Sequence, residues 1–504
     1  MYLGLDVGTT ATKAILIDAR QRVLGRTEFA YATRHPGPGL CEQDPAVWID
    51  AVVAVIETLR RDSPEALASI EAIGLSGQMH SLVVLGADAG PLCPAILWND
   101  TRGAAECRAL EAAVPMIARL TGVIPMPSFT APKLLWLRRN RPDLYGRIRT
   151  VLWPKDFVRL WLTGELATDM SDAAGGQLLD GARRAWCEPV IEAVGLSSDQ
   201  LPPLLEGTDP AGQLRADVAT RLGLRPGIPV AAGGGDAGTG ALGLGCVTDG
   251  ASFLSLGTGA TIVVAQAAYA PYPDAVLHDF AHAAPGLWYQ MAAMLNGASC
   301  LAWAARLCGR TDIAGWLGEV EQRFDGPSRV MFLPYLNGER TPHNDTEIRG
   351  SFIGLDSSTD PADIAQAVME GIGFMFKDAA AALASAGCVL DTPGFVGGGT
   401  RSPLWGRIIA SMLGHPLARY ENADLGPALG AARLAMIVST RAAVEDVAVR
   451  PVVQGIVQPD IDLEAAYADR YETYRALYPA LRSLKGLRPG AAPADRQPAS
   501  SVTP

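Results

Sequence analysis

The chain opens with MYLGLDVGTTATKAILID, residues 1–18, and this stretch decides the fold. It predicts two apolar strands joined by a turn of small and hydroxyl residues, Gly8-Thr9-Thr10, with no helix between them. Asp6 stands where the first strand ends. Such a turn offers backbone N–H groups and hydroxyls to a phosphate, while a carboxylate holds a metal ion beside it. From these residues alone, a plain β-hairpin is an equal alternative. A P-loop is excluded, because it needs Gly-x4-Gly-Lys-Ser/Thr running into a helix.

Length and charge narrow the class of protein. A chain of 504 residues is too long for one core and fits two domains of about 200–250 residues each. Hydrophobic residues make up 49% of it and charged residues 19%, which is enough apolar material for two cores. The formal net charge is -11 and the Lys and Arg residues are scattered, so we expect no nucleic-acid partner.

Cysteine usage and hydropathy indicate the compartment. The eight cysteines are widely spaced without a Cys-x-x-Cys pair, which argues against a zinc site or a disulfide framework and suits a reducing cytoplasm. No basic leader opens the sequence, and no apolar run approaches the roughly eighteen residues of a membrane span. We therefore expect a soluble cytoplasmic protein without a membrane partner. The oligomeric state stays open, with a homodimer as one option.

A second hairpin of the same kind follows near the middle of the chain. The strand at 251–255 meets Leu256-Gly257-Thr258-Gly259, and a second apolar strand follows at 260–264. This predicts a second copy of the opening motif at the start of a second domain near residue 247. Two such phosphate turns suit a nucleotide held between two related domains. Other predicted elements are a helix over 48–60 and strands at 72–76 and 228–232.

Glycine clusters end two further strands. Residues 233–240 read GGGDAGTG, and residues 395–402 read FVGGGTRS before a helical stretch. Three glycines let a ligand lie flat on the backbone, and the helix N-terminus favours an anion or a polar ring edge. A tight strand-to-helix turn is the alternative. A generous Gly-x-Gly-x-x-Gly match at Gly233, Gly235 and Gly238 lacks the later acidic residue, which disfavours a nicotinamide enzyme.

The C-terminal region carries structural rather than functional signals. Four tyrosines at 467, 471, 474 and 478 share one helix face, which predicts packing of a final helix, with ligand stacking as the alternative. Residues 487–504 have no periodic apolar pattern and are predicted to be mobile.

The motifs together resemble the FGGY family of carbohydrate kinases, and within it the D-xylulose kinases most closely. Both family signatures are present, one at 128–140 (SFTAPKLLWLRRN) and one at 350–370, which begins GSFIGL and ends DIAQAVME. Further stretches typical of the family are Gly77-Gln78-Met79-His80, LWNDTR at 97–102, PKD at 154–156, SDAAG at 171–175 and GERTPH at 338–343. The resemblance runs from residue 1 to about 478.

The resemblance implies an α/β protein of two ribonuclease-H-like (actin-like ATPase) domains that flank a nucleotide and sugar cleft. Residues 1–246 would form the domain that mainly binds the sugar, and 247–486 the domain that mainly binds ATP. The implied activity is ATP-dependent phosphorylation of a ketopentose, D-xylulose to D-xylulose 5-phosphate, with ATP and Mg²⁺ required. Another pentulose or a polyol is the alternative substrate. Outside this class, an actin-like ATPase and a sugar-sensing module are the remaining hypotheses.

The family roles can be carried over residue by residue. Asp236 is the implied general base, and Asp6 and Asp236 are the implied metal ligands. Residues implied at the sugar are Met79, His80, Trp98, Asn99, Asp100 and Asp236. Residues implied at ATP are Gly8, Thr9, Thr10, Lys13, Gly257, Thr258, Gly259, Gly398, Gly399 and Ser402.

Structural alternatives stand beside these roles. Asp236 follows three glycines, so its carboxylate can stand clear of the backbone, but it can also cap the next helix. His80 can be a hydrogen-bonded buried histidine, and residues 98–100 can be core and turn.

Two positions depart from the family pattern. Ala237 stands where D-xylulose kinases usually carry Asn, and Gly259-Ala260 replaces the more frequent Ser-Gly. The first change affects the sugar and the second the hydroxyls available to phosphate.

Overall fold

The structure, a computed structural model, describes residues 1–484, so the segment 487–504 lies outside the described residues. Across the described residues, no helix combines the length and apolar character needed to span a membrane.

The first half of the chain alternates strands with helices. Its strands are β1 (Tyr2–Val7), β2 (Ala11–Ile17), β3 (Val23–Ala30), β4 (Glu42–Gln43), β5 (Ala72–Gly77), β6 (Val83–Leu85), β7 (Ala95–Ile96), β8 (Thr150–Leu152), β9 (Thr168–Asp169), β10 (Leu179–Asp180), β11 (Ala185–Trp186), β12 (Leu204–Leu205), β13 (Pro210–Gln213), β14 (Pro229–Ala231) and β15 (Gly234–Gly235). Its helices are α1 (Ala46–Asp62), α2 (Pro64–Ala68), α3 (Ala104–Ala113), α4 (Ile117–Thr121), α5 (Thr130–Asn140), α6 (Pro142–Tyr145), α7 (Pro154–Thr163), α8 (Met170–Gly175), α9 (Glu188–Val194), α10 (Ala216–Leu222) and α11 (Asp236–Gly243).

The second half repeats the alternation with longer helices. Its strands are β16 (Ser252–Leu256), β17 (Ala260–Gln266), β18 (His278–Ala281), β19 (Trp288–Met294), β20 (Met331–Leu333), β21 (Ser351–Ile353), β22 (Gly394–Val396), β23 (Leu417–Tyr420) and β24 (Val453–Val457). Its helices are α12 (Ala298–Leu307), α13 (Ile313–Arg323), α14 (Pro361–Ser385), α15 (Pro403–Leu413), α16 (Gly426–Thr440), α17 (Val444–Val447) and α18 (Ile461–Ser483).

Two mixed sheets organise these elements, and the central strands of the two sheets follow the same order. The first sheet runs β13-β14-β5-β1-β2-β3, with β15 also paired to β5, and the second runs β18-β19-β17-β16-β22-β23-β24. In each sheet an antiparallel hairpin, β1–β2 or β16–β17, lies beside a parallel strand, β5 or β22. The predicted second copy of the opening motif is therefore confirmed.

Local sequence explains the main elements. All six residues of β1 are buried, as expected for a central strand. The predicted helix over 48–60 is confirmed as α1, which buries Trp48, Val52 and Val55 on one face. Helix α14 begins after Asp360, whose carboxylate accepts from backbone N–H groups of the first turn and so caps that end.

The predicted packing of the tyrosines is confirmed on α18. Tyr467 and Tyr474 are fully buried. The Tyr467 hydroxyl lies 3.0 Å from Glu370, and the Tyr474 hydroxyl 3.3 Å from that of Tyr335. These contacts fix the last helix against the second core.

Helix α16, from the second half of the sequence, packs on the first sheet and on α11 through glycines. A Cβ added at Gly74 of β5 would lie 1.8 Å from the carbonyl oxygen of Ala431, and one added at Gly430 would lie 1.9 Å from that of Thr239. Because no side chain fits there, the backbones of α16, β5 and α11 meet directly. This contact joins the two halves of the chain.

We expect Gly430→Ala to lower the free energy of unfolding by about 1–3 kcal/mol, because the new methyl group overpacks the contact with α11. The matched control is Gly318→Ala in α13, where an added Cβ meets no atom within 4 Å. That change should raise stability by up to about 1 kcal/mol through helix propensity. Urea unfolding of both variants measures the difference, and equal shifts would contradict the close packing.

Candidate active site

Three parallel strands of the first sheet end together. Asp6 of β1 lies beside Ser76 of β5 in register, and Gly234 of β15 lies on the other side of Ser76. Asp236 begins α11 directly after β15. The register therefore brings together two carboxylates that are 230 positions apart in the sequence, as the sequence analysis expected for Asp6 and Asp236.

Hydroxyl groups tie these strand ends to each other. Ser76 Oγ donates to Asp6 Oδ1 over 2.9 Å. The Thr239 hydroxyl of α11 lies 2.7 Å from Ser76 Oγ and 3.0 Å from the carbonyl oxygen of Gly235. This chain of contacts fixes the distance between the carboxylate on β1 and the first turn of α11.

The two carboxylates hold their protons more tightly than an exposed aspartate does. Burial raises the pKa of Asp6, and the charge of Lys13 opposes that shift. The pKa of Asp236 rises to about 7, first because of burial and second because of the negative charge of Asp6, while the N–H groups of Ala237 and Met79 pull it down. Asp236 is thus protonated below a pH of about 7 and available as a base above it.

The structure does not bear out the alternative role of Asp236 as the N-cap of α11. Gly235 takes the N-cap position, and Asp236 is the first residue inside α11. Its carboxylate is therefore not the side-chain cap of that helix.

The hairpin turn between β1 and β2 is fastened from its inner side. The Gly8 carbonyl accepts from the Tyr31 hydroxyl over 2.6 Å and from Gln78 Nε2 over 3.3 Å. The Thr9 carbonyl accepts from Gln43 Nε2 over 2.7 Å. Because protein donors hold these carbonyls, the outer side of the turn is preorganised for a ligand.

The outer side carries the polar side chains predicted to meet phosphate. Thr10 is exposed at the tip of the turn, and Lys13 pairs with Asp6 in the register of β1 and β2. Trp98 Nε1 donates to Thr9 Oγ1 over 2.9 Å. Trp98, predicted at the sugar, is thereby bonded to the predicted phosphate turn.

Asp100 lies deeper than the other residues of its motif. It is fully buried and accepts from the backbone N–H of Cys41 over 2.6 Å. Arg102 pairs with Asp100 and with Glu42, each over 2.7 Å. Protein donors thus occupy both oxygens of Asp100, while Asn99 is exposed. Sugar contacts by Asn99 and Asp100 stay predictions.

His80 is fixed as a neutral ring. Its Nδ1 lies 2.5 Å from the carbonyl oxygen of Gly175, which places the proton on Nδ1 and leaves Nε2 as an acceptor. Burial lowers the pKa of His80 to about 3. The ring packs edge-on against Phe129 with centroids 4.9 Å apart. A hydrogen-bonded buried histidine and a ligand contact are thus compatible here.

Met79 lies between glycines next to Asp236. A Cβ added at Gly175 would lie 2.5 Å from Met79 Cε, and one added at Gly235 would lie 2.4 Å from Met79 Cγ. The Tyr289 hydroxyl, from the second half of the chain, lies 3.7 Å from Met79 Sδ. Both halves of the chain therefore wall this region.

The second hairpin turn packs on the start of α12. The Gly257 carbonyl accepts from the N–H of Ala298 over 2.8 Å, and the Thr258 carbonyl accepts from Ser299 Oγ over 2.6 Å. Thr258 is exposed, and Gly259 is partly buried. As in the first turn, protein donors hold the carbonyls.

The third glycine cluster lines a cavity of about 450 Å³. Gly398, Gly399 and Ser402 contribute to its wall, together with Ala298 of α12. Ser402 caps α15 by accepting from the N–H of Trp405 over 3.2 Å. Because Ala298 also contacts Gly257, the second turn and this cavity are neighbours.

A buried cluster of five ionisable side chains lies next to the residues that precede Asp236. Lys155 Nζ lies 2.6 Å from Asp156, 2.8 Å from Asp169 and 3.2 Å from Asp172, and Arg159 lies 3.0 Å from Asp156. All five side chains are fully buried. Two cations face three carboxylates, and burial raises the pKa of Asp172 well above its usual value, assisted by the charges of Asp169 and Asp156. Asp172 therefore holds its proton more tightly than an exposed aspartate does.

The cluster positions the backbone before Asp236. Ser171 donates its hydroxyl to Asp169, and Ser171 Oγ accepts from the N–H of Gly235 over 2.9 Å. A Cβ at Gly235 would lie 3.2 Å from Asp172 Oδ1. The buried cluster thus helps to fix the position of Gly235, which leads into α11.

Several of these supporting residues carried no assigned role at the sequence level. Tyr31 directly follows β3 and Gln43 ends β4, and nothing in the sequence marks their bonds to the turn. The run 154–156 did carry a signal, since Pro154-Lys155-Asp156 is one of the stretches typical of the family and it opens α7.

Three features define an actin-like, ribonuclease-H-like phosphotransferase fold: the repeated sheet order, the hairpin turn in each sheet, and the carboxylates beside the first of these turns. The chain belongs to the FGGY family of carbohydrate kinases. The family's N-terminal domain matches residues 1–243 and its C-terminal domain matches residues 253–439. It is therefore an enzyme that uses ATP to phosphorylate a small sugar-like molecule.

Individual relatives agree with this assignment. The chain is 40% identical to the xylulose kinase of Escherichia coli (strain K12) over 96% of this chain and 100% of that protein. A crystal structure described as a xyloylose kinase from Brucella ovis superposes with a TM-score of 0.92 at 44% identity, covering 95% of this chain and 99% of that chain. A gluconate kinase from Lactobacillus acidophilus superposes with a TM-score of 0.89 at 26% identity, covering 95% and 98%.

Two variants of the buried cluster test whether Asp172 is protonated. Asp172→Asn resembles the protonated carboxyl and should change the free energy of unfolding by less than about 1 kcal/mol. Asp169→Asn removes a charged partner of Lys155 and should cost about 3–5 kcal/mol. Urea unfolding at pH 7.5 compares the two isosteric variants. A large loss for Asp172→Asn would show that Asp172 is ionised.

Proposed function

We propose that the protein transfers the γ-phosphoryl group of ATP to a ketopentose, converting D-xylulose to D-xylulose 5-phosphate. The observation that carries the proposal is the carboxylate of Asp236, which has a pKa of about 7 and lies next to Met79 and Asp6. The names of the relatives support D-xylulose as the sugar.

Asp236 is the general base in this proposal. Its carboxylate takes the proton of the sugar's terminal hydroxyl while that oxygen bonds to the γ-phosphorus of ATP. The bond from the γ-phosphorus to the bridging oxygen breaks, and ADP leaves. A base near pKa 7 suits this step at neutral pH, because it is ionised yet still accepts a proton readily.

Asp6 and Asp236 fit a magnesium site. They are two oxygen donors of like charge, and among the described residues neither forms an ion pair within 4.0 Å. Mg²⁺ is commonly held by one or two carboxylates together with substrate phosphates. When bound, Mg²⁺ supplies positive charge to the phosphates of ATP.

The two turns and the cavity provide the ATP side. We assign Gly8, Thr9, Thr10 and Lys13 to the transferred phosphate, since this turn adjoins Asp6. The turn Gly257-Thr258-Gly259 then holds the remaining phosphates. Gly398, Gly399 and Ser402 take the adenosine, because their cavity of about 450 Å³ lies next to the second turn.

The sugar side consists of Met79, His80 and the residues around Trp98. Neutral His80 presents Nε2 as an acceptor for a sugar hydroxyl, and Trp98 links the sugar side to the phosphate turn. Residues 1–246 thus mainly bind the sugar and residues 247–486 mainly bind ATP. Tyr289 and its neighbours add a wall from the second part.

The base assignment is tested by Asp236→Asn. The variant keeps the shape of the side chain but cannot take the proton, so kcat should fall by about 10²–10⁴. The exposed Asp143→Asn variant is the matched control and should keep wild-type activity. The measurement is sugar-dependent ADP release in a coupled assay. More than half of the wild-type rate in Asp236→Asn would exclude Asp236 as the base, and ADP release independent of sugar would favour an ATPase.

The sugar's identity is tested at Ala237, which follows the base. An Asn side chain there can hydrogen-bond a second sugar hydroxyl, so Ala237→Asn should raise kcat/KM for D-xylulose by about threefold to tenfold. Other pentuloses, gluconate and polyols should gain less. The panel is measured for wild type and variant at fixed ATP and Mg²⁺. A wild type that prefers another sugar over D-xylulose would overturn the substrate but not the kinase class.

A further inference from the structure

A positively charged groove lies outside the proposed active site. It forms where the β2–β3 turn, the face of α16 and the segment before β24 meet, and its volume is about 770 Å³. Five arginines line it, and we call it the arginine groove: Arg20, Arg22, Arg26, Arg433 and Arg450. Among its described lining residues Glu421 is the single acidic one. Such a concentration of cations is unexpected in a chain of net charge -11.

Arg433 is the buried floor of the arginine groove. Only 3% of its surface is exposed. Its Nε donates to Gln21 Oε1 over 2.9 Å, and its Nη1 donates to the carbonyl oxygens of Leu242 and Gly243 over 2.8 and 2.9 Å. Within residues 1–484, no carboxylate lies within 4.0 Å of it and its Nη2 makes no hydrogen bond. A buried cation without a counter-ion is costly, and burial lowers the pKa of Arg433 to about 10.

The rim of the groove adds charge that is only partly neutralised. Arg22 pairs with Asp18 over 2.7 Å, and Arg26 lies 3.8 Å from Asp424. Arg20 and Arg450 are exposed and make no ion pair within the part of the chain that the structure describes. Together with Arg433, they leave three guanidinium groups against Glu421 alone.

This arrangement selects the chemistry of a ligand. Guanidinium groups from a floor and two sides suit a compact anion with several acceptor oxygens and more than one charge. A phosphoryl group has both properties, whereas a single carboxylate offers two oxygens and one charge. We propose that the arginine groove binds the phosphoryl group of a small molecule, either free phosphate or a phosphate monoester.

The site is distinct from the cleft. Arg433 belongs to α16 and holds the last carbonyls of α11, whereas Asp236 begins α11 at the opposite end. None of the five arginines is among the residues assigned to ATP or to the sugar. A bound anion would therefore rest on the joint between the two halves of the chain.

Calorimetric titration of inorganic phosphate into the full chain tests the proposal. The buffer contains EDTA, and sodium chloride keeps the ionic strength constant. Wild type should bind one phosphate per chain. The double variant Arg20→Ala/Arg450→Ala should bind it at least about tenfold more weakly, because each lost charge-assisted hydrogen bond weakens binding by that order. The matched control is Arg147→Ala, an exposed arginine elsewhere, which should bind as wild type does.

A second titration with glucose 6-phosphate distinguishes the sources of the phosphoryl group. Tighter binding than inorganic phosphate identifies a monoester ligand, and weaker binding identifies free phosphate. Either result supports the proposal if the double variant weakens it. The proposal is overturned if wild type shows no saturable binding of either compound, or if the double variant binds as tightly as wild type.

Discussion

The structure depends on one electrostatic constraint: two buried carboxylates lie close to each other, and neither forms an ion pair within residues 1–484. Asp6 and Asp236 come from opposite ends of the first half of the chain and meet because β1, β5 and β15 are parallel neighbours. Like charges in a buried place resist joint ionisation, and the pKa of Asp236 reflects that repulsion on top of burial. Positive charge brought by a ligand stabilises such a pair of carboxylates, and a carboxylate that readily takes a proton can act as a base. Phosphoryl transfer requires both.

Everything around the carboxylates keeps that placement rigid. Ser76 and Thr239 link the strand ends, and Tyr31, Gln43 and Gln78 hold the hairpin turn from behind. The buried ion cluster around Lys155 fixes the residues before α11, and the glycine contacts of α16 fix α11 from its other side. The positions of the two carboxylates are thus set by groups that need not touch a substrate. Preorganised sites avoid rearrangement during the reaction.

Local patterns in the sequence predicted the two hairpins, the helix at 48–60, the packing of the final tyrosines and the strand at 228–232 that precedes Asp236. These features depend on neighbours in the chain, so periodicity and turn residues reveal them. Long-range partners were not predictable in the same way. The hydrogen bond from Trp98 to Thr9 spans 89 positions, and the one from the N–H of Cys41 to Asp100 spans 59. The cap role for Asp236 failed because Gly235 adopts the extended backbone of the N-cap.

The central claim is that the charge of Asp6 tunes the proton affinity of Asp236. It is measured most directly by ¹³C NMR of aspartate-labelled protein, with the Asp236 carboxyl resonance assigned through Asp236→Asn. The resonance should titrate with a midpoint of about pH 7 in wild type and at a clearly lower pH in Asp6→Asn. A midpoint near the ordinary aspartate value of about 4 in wild type, or the same midpoint in both proteins, would contradict the account.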